Sequence, residues 1–129
     1  MSRLTRVLRS ATSSAEPPYL PEAGDIIGLT FDPQAGREQA GRRPALVLSP
    51  ASYNGPSRLC ILCPITSQLK GYPFETAIPD GLLVQGAVLS DQVKSLSWSD
   101  RGSQFIGRMP AAVLADVRAK IKALLQIPS

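Results

Sequence analysis

Leu59-Cys60-Ile61-Leu62-Cys63-Pro64-Ile65 is the most apolar stretch of the chain. Seven residues is strand length and far short of the ~20 needed to cross a bilayer. The run therefore reads as a buried strand at the centre of a sheet, and nothing in the chain is expected to span a membrane. Its two cysteines form C-x-x-C, a spacing that invites a redox or zinc reading. Side chains three apart on a strand point to opposite faces, however, and no second pair exists to complete a tetrahedral site. They read as reduced core thiols, which places the protein in the cytosol.

Outward from this strand the pattern is short strand, turn, short strand. Ile26 to Phe31 reads as a first strand ended by Asp32-Pro33, and a polar loop follows from Gln34 to Arg43. Pro44 leads into Ala45-Leu46-Val47-Leu48, a second strand. Ser49 to Ser57, with Pro50, Asn54-Gly55 and Pro56, reads as a loop. Beyond the central strand come a Gly71-Tyr72-Pro73 turn, a strand over Phe74–Ile78, and further strands near Gly86–Ser90 and Gln104–Arg108. After Pro110 the period changes. Val113, Leu114, Val117, Ile121, Leu124 and Leu125 fall at helical spacing, with Arg118, Lys120 and Lys122 toward the end that the helix dipole favours for cations. The expected fold class is α+β, mainly β: a small antiparallel β-barrel closed by a C-terminal amphipathic helix.

The chain has 129 residues, enough for one domain, and 43% of them are hydrophobic. It contains no histidine. That removes Ser-His-Asp and Cys-His catalysis, histidine-pair acid–base chemistry and histidine metal sites. Chemistry is left to Glu, Asp, Arg, Lys, Thr, Ser or Tyr. Arg3, Arg6 and Arg9 against Glu16 give residues 1–18 half of the net +4. This segment lacks the uninterrupted apolar core of a secretory signal. It resembles a transit peptide in composition, but a flexible basic tail ahead of a single domain over 19–129 is the preferred expectation.

The loop Gln34 to Arg43 holds one carboxylate, Glu38, within five residues of Arg37, Arg42 and Arg43. Gly36-x4-Gly41-Arg42 is not a phosphate-binding P-loop, since it lacks the Lys, the Ser or Thr, and the helix that should follow. Loops rich in Glu and Arg are usually solvated surface. On a barrel rim, though, a carboxylate beside fixed cations suits phosphodiester chemistry in RNA, where it takes a 2′-hydroxyl proton and arginine stabilises charge on phosphate.

Several segments extend that signal across the chain: Gly24-Asp25-Ile26-Ile27, Phe31-Asp32-Pro33, Glu38-Gln39-Ala40-Gly41-Arg42-Arg43-Pro44, Val47-Leu48-Ser49-Pro50, Tyr53-Asn54, Pro64-Ile65-Thr66-Ser67, Lys70-Gly71-Tyr72-Pro73-Phe74-Glu75 and Asp91-Gln92-Val93-Lys94-Ser95. In order and spacing, residues 19 to about 125 resemble the MazF/PemK toxin family, the endoribonucleases of bacterial toxin–antitoxin pairs. The resemblance implies an SH3-like barrel, a homodimer, no metal or other cofactor, and cleavage of single-stranded RNA at short sequences to 2′,3′-cyclic phosphate and 5′-hydroxyl ends. It implies Glu38 as general base, Arg43 as the arginine that steadies the transition state, and Thr66 as a hydroxyl holding a phosphate oxygen. Arg37, Arg42, Ser67, Lys70, Tyr72, Asp91 and Gln92 are the expected RNA contacts. A small acidic antitoxin is the expected protein partner.

The chain departs from the family pattern at three points. Arg37 stands where some plasmid-borne relatives have histidine before the loop Glu, Leu89 stands where they have a working arginine, and Arg42 replaces a histidine of the chromosomal type. Asp91-Gln92 reads equally as base recognition or as a loop brace, and Lys70 with Tyr72 reads equally as RNA groove or exposed turn. Trp98 reads as core or dimer interface rather than a stacking platform. Besides the nuclease, two alternatives stand: a gyrase poison of the CcdB type on the same barrel without an active site, and an inactive relative that only binds. Glu38, Arg43 and Thr66 together favour the nuclease, because a gyrase poison needs no such set.

Overall fold

The structure, a computed structural model, describes residues 19–32 and 41–129. The tail expectation for 1–18 and the positions of Arg37 and Glu38 lie outside the described residues. Among the described residues, seven strands and two helices follow in chain order: β1 (Asp25–Thr30), β2 (Arg42–Val47), α1 (Ala51–Ser57), β3 (Leu59–Thr66), β4 (Glu75–Ala77), β5 (Ala87–Leu89), β6 (Lys94–Ser97), β7 (Gln104–Arg108) and α2 (Ala111–Leu124). All pairings are antiparallel, in the order β4-β5-β3-β2-β1-β7, with β6 also on β3.

The apolar strand β3 is central, as its composition predicts. β2 pairs along one edge from Leu62 to Pro64, while β6 (from Leu59) and then β5 (to Thr66) share the other. Strand alternation sends its residues into two cores. Cys63 and Ile65 join Ile26, Leu46, Val88 and the α2 residues Val113 and Val117 on one face. Cys60 and Leu62 join Ile27, Leu29, Val47 and Trp98 on the other. Each fully buried Leu, Ile or Val there contributes ~1.5–3 kcal/mol. The cysteines are free, buried and on opposite faces, as their spacing predicts, and burial pushes both thiols up to about 12. The charge of Asp91 adds to the effect at Cys63.

The expected barrel is an open sheet: β4 and β7 end the path and, among the described residues, do not pair with each other. The apolar stripe of α2 covers the first core instead, so burial there does not require strand closure. A polar clamp seats the helix on β4. Thr76 Oγ1 donates to Asp116 Oδ2 (2.7 Å), and Lys120 Nζ donates to Glu75 O (2.7 Å) and Thr76 Oγ1 (3.0 Å) while pairing with Asp116 at 2.9 Å. The Lys120 and Thr76 hydrogen bonds hold the Asp116 carboxyl below the usual carboxylate range.

Three local readings are corrected. Residues 51–57, expected as loop, form α1 despite Asn54-Gly55 and Pro56, because tertiary bonds hold what propensity does not. Fully buried Asn54 accepts from Ser49 Oγ (2.6 Å) and donates through Nδ2 to Pro21 O (2.8 Å) and Ser49 O (2.9 Å), and its own carbonyl accepts from Trp98 Nε1 (3.0 Å). Trp98 is thus core, with the Arg58 guanidinium 4.8 Å above its ring. The polar strand β6 escaped notice because Lys94 and Ser95 are exposed, and it forms by backbone pairing to β3. Finally, β2 begins at Arg42 rather than after Pro44, since pairing with β1 runs on through Gly28↔Pro44, Leu29↔Arg43 and Thr30↔Arg42.

Candidate active site

Placing Arg42 and Arg43 in a strand rather than a loop decides their fates, because adjacent strand residues face opposite ways. The guanidinium of Arg42 is taken up by the fold. It donates to Gly28 O (3.1 Å), Gly102 O (3.0 Å) and Thr30 Oγ1 (3.3 Å), tying β1 and β2 to the turn before β7. Arg43 instead stands over the Phe31 ring, 5.3 Å from its centroid. A ring face steadies a guanidinium while leaving its in-plane N–H groups to point at an anion.

Thr66 closes β3. The β2–β3 register runs Val47↔Leu62, Leu46↔Cys63, Ala45↔Pro64. Continued by two residues, it sets Arg43 opposite Thr66 on one face of the sheet. The Thr66 hydroxyl oxygen accepts from the backbone N–H of Gln68 (3.1 Å), which orients it and leaves the hydroxyl proton to be donated. Arg43 and Thr66 share an open cleft of about 390 Å³ with Pro44 and Ile65 on the strands beside them. Ser67 and Gln68 line it past the end of β3, and Val84 and Gln85 line it from the segment before β5.

That last segment is fixed by Gly86, whose φ is +113°. A Cβ there would fall within 3.0 Å of the Thr66 carbonyl group and of Ser67 Cα, so only glycine lets the backbones approach this closely. Gly86 O also accepts from Ile78 N (2.9 Å).

The structure brings Arg43, Thr66 and Ser67 together and leaves the other described candidates outside the cleft lining. Lys70 and Tyr72 lie on the exposed turn that follows Gln68. The Glu75 carboxylate braces that turn, accepting from the Lys70 N–H (3.2 and 3.1 Å) and the Gly71 N–H (3.0 Å). Tyr72 stacks on Phe74 with centroids 5.2 Å apart, and 49% of its surface remains exposed. Asp91 and Gln92 are exposed in the turn after β5, where Gln92 N–H donates to Leu89 O (3.1 Å). Sequence reasoning missed Gln68, Val84 and Gln85. Gln68 sits two residues past Thr66 and was within reach of the motif. Gln85 comes from a distant segment and carries no local signal beyond the glycine after it.

An arginine over a ring and an oriented hydroxyl at the lip of an open cleft are groups whose chemistry suits an anion such as a phosphate. Comparison with known proteins narrows this reading. The family model described as PemK-like, MazF-like toxin of type II toxin–antitoxin system matches residues 22–125. The endoribonuclease toxin MazF of Escherichia coli is 46% identical over 107 residues, covering 83% of this chain and 96% of that one. A crystal structure of MazF from Deinococcus radiodurans superposes with a TM-score of 0.78 at 53% identity, covering 85% of this chain and 100% of that chain. A MazE–MazF crystal structure from the same organism gives 0.79 and 51%, with the same coverage. The chain belongs to the PemK-like, MazF-like toxin family of type II toxin–antitoxin systems.

Proposed function

We propose that this toxin is an endoribonuclease that cuts single-stranded RNA in the Arg43–Thr66 cleft, without a metal ion. The observation that supports it most directly is the pairing of a ring-supported guanidinium with an oriented threonine hydroxyl across β2 and β3. It stands beside 46% identity to a relative named as an endoribonuclease toxin. Arg43 and the Thr66 O–H hold the non-bridging oxygens of the scissile phosphate. Glu38, assigned from the sequence motif, takes the proton from the adjacent 2′-hydroxyl. The 2′-oxygen bonds to phosphorus, the bond from phosphorus to the 5′-oxygen breaks, and the products are a 2′,3′-cyclic phosphate and a 5′-hydroxyl.

Arg43 acts in this step by charge, stabilising the phosphorane-like transition state. It is not the acid, because a guanidinium holds its proton too tightly to hand it to a leaving oxygen. The leaving oxygen takes its proton from water, which reaches the cleft through exposed Ser67, Gln68 and Gln85. Lys70 and Tyr72 extend the RNA path along the neighbouring turn, and Arg37, Asp91 and Gln92 belong to its outer contacts. The functional unit is a homodimer in the cytoplasm. An acidic, MazE-like antitoxin neutralises it by covering the cationic cleft. Among the described residues no helix is long and apolar enough to cross a membrane. Nothing in the fold or the comparisons favours the gyrase-poison alternative.

The test is incubation of the purified protein with mixed-sequence RNA in EDTA, followed by mapping of the ends. Cleavage to 5′-hydroxyl ends is expected, with a loss of about 100-fold or more in Arg43→Ala, the scale of removing one transition-state charge partner. Intact RNA, or cutting undiminished in Arg43→Ala and Glu38→Ala, would overturn the proposal.

A further inference from the structure

We infer that Gln85 is a specificity-determining residue that selects the base of one nucleotide bound beside the scissile phosphate. The inference rests on the RNA-cleaving role proposed for this cleft and deepens it. Arg43 and Thr66 bear on phosphate, and phosphate contacts fix position without reading sequence. A primary amide at the same cleft is a different instrument. Gln85 carries an acceptor and two donors side by side, the arrangement that matches the adjacent donor and acceptor on the edge of an unstacked base.

The geometry gives this amide a fixed platform. Gly86 packs its Cα against the Thr66 carbonyl so closely that no side chain fits, and Ala87 then pairs with Thr66 in the β3–β5 ladder. The backbone of Gln85 is therefore anchored to the residue that holds the phosphate, one residue from that contact. Its side chain is exposed at the cleft lining. The amide Nε2 lies 3.4 Å from Leu82 O, a long hydrogen bond that orients the group and yields readily to a better partner. Oε1 and the second N–H remain to meet a base. A rigid backbone under an uncommitted amide, one step from the phosphate clamp, is what single-position base selection requires.

The experiment digests a randomised RNA pool with the full-length wild type, Gln85→Leu and Gln85→Glu, and sequences the new 5′-hydroxyl ends. Gln85→Leu keeps similar bulk without hydrogen bonding. It is expected to flatten the base preference at one position near the cut by roughly 5-fold or more, the scale of one good bidentate contact, while the other positions keep their preferences. Gln85→Glu retains acceptors only and is expected to move that same preference toward bases that present an amino group. Both variants should melt within a few degrees of wild type, because the side chain is exposed. Base profiles that superimpose in all three proteins would overturn the inference, as would a wild type with no preference beside the cut. Failure of the proposed function reads differently: the wild type then yields no Arg43-dependent ends at all.

Discussion

Arg42 and Arg43 are neighbours of identical chemistry, and the structure predicts that truncating them does opposite things. Arg42→Ala removes three hydrogen bonds, taking a charged donor from the carbonyls of Gly28 and Gly102 and from the Thr30 hydroxyl. A hydrogen bond to a charged group is worth about 1.5–3 kcal/mol, and partial exposure of this cluster reduces that. A total loss of ~2–3 kcal/mol follows, or a fall in melting temperature of roughly 8–15 °C for a domain of this size. Arg43→Ala removes one ring contact, worth about 0.5–1 kcal/mol at an exposed site, and should lower the melting temperature by no more than ~5 °C. On RNA the order reverses. Arg43→Ala should lose about 100-fold or more in cleavage rate, whereas folded Arg42→Ala should stay within about 10-fold of wild type. Thermal melts and cleavage of one labelled RNA, assayed well below either melting temperature, separate the two. If Arg42→Ala melts like wild type yet abolishes cleavage, the assignment of the two guanidiniums to opposite faces is wrong.

Three further outcomes are expected. Gly86→Ala must relieve overlap with the Thr66 carbonyl and adopt a positive φ, so it should cost about 3–4 kcal/mol in denaturant melts and depress cleavage; a variant as stable as wild type would refute the close approach. Cys60 and Cys63 should resist an aromatic disulfide reagent at pH 8 in the native state and react at once in denaturant, since burial pushes both thiols to about 12; fast native labelling would count against the two-sided core. Asp116 has a lowered folded-state pKa, so the stability it adds is present above the ordinary carboxyl range and is lost as pH falls through the folded value. Asp116→Asn should therefore flatten the acid limb of the stability curve, and an unchanged limb would show that the Lys120 clamp does not contribute.

Much of the fold was legible in the order of residues because its signals are local. The apolar run at Leu59–Ile65 marks a strand buried on both faces, and the period after Pro110 marks a helix with one buried stripe. The spacing of the two cysteines places them in separate cores by alternation alone. What misled were residues whose local preference is overruled at a distance. Asn54-Gly55 and Pro56 argue for a turn, yet bonds from Ser49, Pro21 and Trp98 make the segment a helix. Lys94 and Ser95 look like loop, yet the backbone of β3 recruits them as a strand.

The candidate site divides along the same line. The residue types that suit phosphate chemistry, and the absence of histidine that excludes an imidazole base, are properties of the sequence alone. Only the tertiary structure decided which of two adjacent arginines meets solvent at the cleft, because that depends on where β2 begins. Only it brought Gln85 beside Thr66, nineteen positions earlier, because that contact depends on a glycine allowing two backbones to touch. Composition and period act along the chain, whereas register and close approach are settled between strands, where the neighbours in space are not the neighbours in sequence.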